Sequence, residues 1–81
     1  MQDKFICDEM LQGLGRLLRA AGYDTLIATD GQPDGELLKL ARKEGRQFIT
    51  RDRKLLSEHQ AYQDIVLLLT TLIIIEKLLS I

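Results

Sequence analysis

Three times in the first 52 residues the chain runs through a short apolar stretch and then meets an acid: "KFIC" ends at Asp8, "TLIAT" at Asp30, and "FIT", one residue removed, at Asp52. Runs this short are the length of buried strands, and near-continuous apolar character suits a strand covered on both faces. The segments between them repeat on a helical period instead. "EMLQGLGRLLRAAG" sets Met10, Leu11, Leu14, Leu17, Leu18 and Ala21 at helical spacings with Gly22 as the stop, and "ELLKLARKEG" puts Leu37, Leu38 and Ala41 on one face before Gly45. A third strand, "RQFIT", leads into a short helix in "DRKLLSEHQ", and "DIVLLL" supplies a fourth strand. The closing "TTLIIIEKLLSI" reads as a helix opened by Thr70 or Thr71, with a strand as the alternative because Ile73, Ile74 and Ile75 are β-branched. Strands alternating with helices build βαβ units. The expected fold is therefore α/β: a small three-layer α/β/α domain around a central, mostly parallel four-stranded sheet.

A chain of 81 residues has room for one domain, spanning 1–81, and its 46% hydrophobic and 28% charged residues are those of a globular protein. The net charge of -1 shows no global basic excess, so any contact with nucleic acid has to be local. Cys7 is the single cysteine, which rules out a disulfide within the chain and suits a reducing, cytoplasmic setting; its place in a strand makes it a small core residue. "MQDKF" begins without an apolar signal segment, and "IVLLLTTLIII" falls well short of the roughly 20 residues of a membrane span, so no membrane association is expected. That same apolar stretch, near the exposed edge of a short sheet, points to a homodimer through the C-terminal part.

In an open parallel sheet the ligand crevice lies beyond the carboxyl ends of the strands. The acids collect there: Asp8 and Glu9 after the first strand, Asp30 and Asp34 after the second, Asp52 after the third. Adjacent strands are about 4.8 Å apart, so carboxylates at neighbouring strand ends can meet one hard cation, Mg²⁺ or Mn²⁺. The alternative is local. Asp8, Asp34 and Asp52 each precede a helix, where aspartate is a favoured N-cap. Arg16 and Arg19 lie three residues apart on the first helix and suit either a solvated face or a clamp on a phosphate. Arg51 and Arg53 flank Asp52, where they balance the acids or meet a nucleic-acid backbone. "GLG" at Gly13 and Gly15 falls inside the helical pattern and is a poor nucleotide loop, and His59, with no second histidine in the chain, reads as a surface residue.

Taken in order, "FICDEMLQGLGRLLRAAGYDT", "DGELLKLARKEGR" and "ITRDRKLL" resemble the PIN-like ribonuclease domain of the Mut-seven carboxy-terminal type, over about Lys4 to Leu56. The resemblance implies a PIN-like α/β/α fold whose carboxylates hold Mg²⁺ or Mn²⁺ and hydrolyse RNA. Carried over by motif, the catalytic and metal-holding acids fall on Asp8, Asp34 and Asp52, with Glu36 of "DGELL" as a further metal candidate. Thr50 would support a carboxylate by hydrogen bonding and, with Arg16, Arg19 and Arg51, would face the substrate. The family's motif departs here at "MLQGLGR", where glycine and a basic residue usually follow "ML" directly. Members often add a cysteine-rich zinc ribbon, for which this chain has no second cysteine. Two other functions remain open on the residues: a module of the same fold that binds nucleic acid or protein without cutting, and a receiver-like phosphoacceptor built on Asp8, Glu9 and Asp52, which would need a fifth strand followed by a lysine.

Overall fold

The computed structural model describes residues 3–69. Four strands, β1 (Lys4–Cys7), β2 (Asp24–Ile27), β3 (Gln47–Thr50) and β4 (Val66–Leu68), form one sheet in the order β2-β1-β3-β4 with every pair parallel. Helix α1 (Gln12–Ala20) joins β1 to β2, α2 (Asp34–Glu44) joins β2 to β3, and α3 (Arg53–Glu58) with a 3-10 turn at Gln60–Tyr62 joins β3 to β4. The closing segment expected to be a helix or a strand extension, 70–81, lies outside the described residues. Among the described residues no helix is long and apolar enough to cross a membrane.

Strand side chains alternate between two faces, and each face has its own cover. On one, Cys7 and Ile49 pack with Leu11, Leu14 and Leu18 from the α1 side. On the other, Ile6 and Phe48 pack with Leu37, Leu38 and Ala41 of α2 and Leu55 of α3. The result is the α/β/α sandwich. The connection from β1 steps one way across the sheet and that from β2 steps back past it, so α1 and α2 fall on opposite faces, as crossovers of a single hand require.

The first helix differs from its expected form. Asp8 is followed by a 3-10 turn at Glu9–Leu11, and only then does α1 begin. The residues facing the sheet are Leu11, Leu14, Gly15 and Leu18, an i, i+3, i+4, i+7 set, while Met10 and Leu17 are 75% and 49% exposed. Six apolar positions at helical spacings span more arc than one sheet face can cover. Gly15 lets α1 approach closely: a Cβ there would stand 2.5 Å from Ile27 Cγ1, whereas a Cβ on Gly13 would meet nothing within 4 Å.

At the amino edge of the sheet, α2 ends on Gly45 in the left-handed conformation (φ 67°), which turns the chain into Arg46. Arg46 is buried to 8% exposure, and its guanidinium donates to Glu44 Oε1 (2.7 Å), Asp24 Oδ1 (2.9 Å) and the carbonyls of Asp24 and Phe5. It ties the starts of β1 and β2 to the entry of β3.

The two glycines of "GLG" should respond to alanine with opposite signs. Gly13→Ala gains helix propensity and should raise stability by up to about 1 kcal/mol. Gly15→Ala makes the same gain but drives a methyl into Ile27, at an overpacking cost of about 1–3 kcal/mol. Thermal melting of the two variants checks this, and equal shifts would mean that α1 does not press on β2 at Gly15.

Candidate active site

The crevice beyond the carboxyl ends of β1 and β3 is built by local rules. β1 delivers Asp8, whose backbone N–H donates to Ile49 O at 3.0 Å and whose carboxylate Oδ1 accepts from Met10 N at 3.3 Å. β3 delivers Thr50, fully buried, whose hydroxyl donates to Asp8 Oδ2 at 2.9 Å and accepts from Asp52 N at 3.1 Å. Asp52 caps α3 through Oδ1, which accepts from Lys54 N at 2.9 Å. Asp34 is not a cap: Pro33 holds that position, with Asp34 as the first residue of α2. Capping thus accounts for one oxygen of Asp8 and one of Asp52 and for nothing at Asp34.

These elements surround an open pocket of about 570 Å³ lined by Asp8, Glu9, Met10, Asp34, Arg51 and Asp52. Partial burial and then the negative charges of Asp8, Asp52 and Glu58 hold the Asp34 carboxyl above its ordinary value, with His59 pulling the other way. Glu9 is raised as well, chiefly by a hydrogen bond with Asp30. Mutual repulsion of this kind is what a bound cation relieves. The donors are carboxylate oxygens, the chemistry that hard divalent ions take. Among the described residues, no three His, Cys, Asp or Glu side chains already stand together as a metal cage.

The structure brings Asp8, Asp34, Asp52 and Arg51 to one pocket and places Thr50 against Asp8. It does not bring the other candidates there. Glu36, in the first turn of α2, and Arg16 and Arg53 are exposed and outside the lining. Arg19 sits at the far end of α1, where its Nε donates to Thr25 O at 2.8 Å near the start of β2. A helix that leaves β1 at the crevice carries its last turn to the opposite edge of the sheet, which separates Arg19 from the acids. His59 is half-buried, its Cε1 3.7 Å from where a Gly35 Cβ would stand. Cys7 is fully buried, and burial pushes its thiol up to about 11, so it stays protonated and unreactive. Sequence patterning missed Met10 at the pocket; the signal was the acid at Asp8, whose cap opens a turn just where a continuous helix was expected.

A family model described as the Mut7-C RNAse domain matches residues 3–81. The chain belongs to the Mut7-C RNase-domain family. It is also similar to the human protein named exonuclease mut-7 homolog, with 40% identity over 47 residues, covering 58% of this chain and 5% of that protein. The chain therefore corresponds to a small fraction of that relative's length. No solved structure matches it.

The raised Asp34 carboxyl gives a pH test. A carboxyl that binds its proton more tightly when folded contributes stability that is complete below its ordinary value of 3.8 and is lost as pH rises through the raised value. In metal-free buffer, the melting temperature of Asp34→Asn minus that of the parent should therefore climb as pH rises above about 4. A difference that stays constant as pH rises would show that the Asp34 carboxyl is not raised in the folded chain.

Proposed function

We propose that this Mut7-C domain is a metal-dependent ribonuclease that hydrolyses RNA phosphodiester bonds at the Asp8, Asp34 and Asp52 pocket. One observation carries the reading: within this family's fold, β1 and β3 lie side by side and present Asp8 and Asp52 at their carboxyl ends, linked through the Thr50 hydroxyl.

Asp8, Asp34 and Asp52 would hold Mg²⁺ or Mn²⁺. Such ions are commonly bound by one or two carboxylates together with water and substrate phosphate, so a ready-made protein cage is not required. When bound, the ion supplies positive charge to the phosphodiester and acidifies a water molecule. The protein's own part is positional. Thr50 fixes the Asp8 carboxylate by occupying Oδ2, as outer partners of metal ligands do. Arg51, on the lining, meets a phosphate of the incoming strand. Glu36 stands outside the lining and is not among the residues that hold the ion in this reading, and Arg16 and Arg19 are left to a more distant backbone contact.

A homodimer through the apolar C-terminal part is a second element of the proposal. Its support among the described residues is β4, an edge strand whose Leu67 is 41% exposed. Light scattering at high micromolar concentration should give twice the monomer mass, and a monomer would overturn it.

Two substitutions separate chemistry from binding. Asparagine caps helices as well as aspartate, so Asp52→Asn should keep the fold while Mn²⁺-dependent cleavage of single-stranded RNA drops by orders of magnitude. Arg51→Ala should instead weaken RNA binding and reduce the salt dependence by about one phosphate contact. Parental cleavage by Asp52→Asn would return Asp52 to the role of a helix cap. RNA binding by the parent without cleavage at any Mn²⁺ concentration would establish a binding module in place of an enzyme.

A further inference from the structure

Met10 is the one apolar side chain among the six that line the pocket, and it is 75% exposed. The 3-10 turn at Glu9–Leu11 directs Leu11 into the core and leaves Met10 outside. Its backbone is tied to the crevice, because its N–H donates to Asp8 Oδ1. The acid that anchors the crevice thus also holds the point from which the methionine side chain extends. A large apolar side chain held in water at the rim of a charged pocket forgoes most of the stabilisation its burial would contribute.

The rest of the lining is ionic: four acids, Asp8, Glu9, Asp34 and Asp52, and one cation, Arg51. A phosphodiester strand entering such a pocket has two kinds of surface to satisfy. Its phosphates find Arg51 and whatever neutralises the acids. Its bases are flat and uncharged, and ionic groups serve them poorly. A thioether is polarizable and makes favourable contacts with aromatic rings, and its three rotatable bonds let it fit any of the bases. In a duplex each base is already stacked on both faces, so only an unpaired base can lie on an outside platform.

Resting on the ribonuclease reading above, we propose that Met10 is a platform for an unpaired nucleobase beside the phosphate held at the pocket, so that this side chain adds affinity for the base next to the phosphate that is cut. Contact with a π-face is tolerant of sequence, so the platform selects strandedness and not base identity.

The test compares the parent, Met10→Ala and Met10→Leu in Mn²⁺-dependent cleavage of a single-stranded oligoadenylate of about ten nucleotides, with an abasic ribose-phosphate strand of the same length as competitor. Because Met10 is exposed, both variants should melt at the parental temperature. Met10→Ala should raise KM roughly two- to tenfold with kcat little changed, and Met10→Leu should restore most of the loss. The parent should bind the abasic competitor more weakly than oligoadenylate, and Met10→Ala should narrow that gap. An unchanged KM in Met10→Ala, or a fall confined to kcat that leucine does not repair, overturns the platform while leaving the ribonuclease intact. A parent that neither binds nor cleaves RNA overturns the ribonuclease reading and the platform with it.

Discussion

Because β1 and β3 pair with each other while the chain leaves them in opposite directions, a crevice opens between their carboxyl ends that no connection crosses. The pocket depends on that pairing. The two strands share the register Phe5 with Gln47, Ile6 with Phe48 and Cys7 with Ile49, which brings Asp8 level with Thr50. The Thr50 hydroxyl then donates to Asp8 and accepts from the Asp52 backbone, satisfying a buried polar group at both of its capacities and joining the two acid-bearing segments. A shift by one residue would turn Thr50 to the other face of the sheet and break both bonds.

Charge is distributed unevenly between the two edges of the sheet. At the amino edge, buried Arg46 is matched by Asp24 and Glu44 and by the backbone carbonyls of Phe5 and Asp24. At the carboxyl edge, Asp8, Glu9, Asp34 and Asp52 face a single lining cation, Arg51, and the Asp34 carboxyl is raised first by partial burial and then by the neighbouring negative charges. The first arrangement is a structural tie. The second is an electrostatic imbalance, and perturbed carboxyls in a cleft are a feature that clusters at functional sites. Toward the other end of the domain, exposed Arg42 holds α2 to the approach to β4 through Asp64, the Ala61 carbonyl and the Tyr62 ring, a surface contact of small energetic weight.

The strand order alone does not separate the functional alternatives. A parallel sheet ordered β2-β1-β3-β4 is also how flavodoxin-like folds begin, including the phosphoacceptor type, and a fold hosts many activities. The family match over 3–81 decides for the Mut7-C RNase domain, and the placement of Asp34 adds a reason. An acid at the first position of α2, on the strand-two side of the crevice, widens the carboxylate group beyond the acid pair and single aspartate of a phosphoacceptor.

The sequence by itself determined the strands, the helices and the edge of the sheet on which the acids fall, because each follows from local spacing: apolar runs of strand length, 3.6-residue periodicity, and glycines such as Gly45 that end a helix. It also carried the motif order by which the family is recognised. What only the tertiary structure decided were the relations between distant segments. The spacing of Met10 suits a core residue, yet a cap at Asp8 turns it outward. Arg16 and Arg19 sit close to Asp8 in sequence, yet the length of α1 carries Arg19 to the opposite edge. Nothing in "DGELL" shows that Pro33 takes the cap and leaves the Asp34 carboxyl for the crevice, and nothing near Arg46 announces that it will be buried against Asp24 and Phe5. Periodicity records which side of its own element a residue occupies. Which element then lies across from it is settled by strand order, register and the direction of each crossover, quantities that no local stretch of this chain contains.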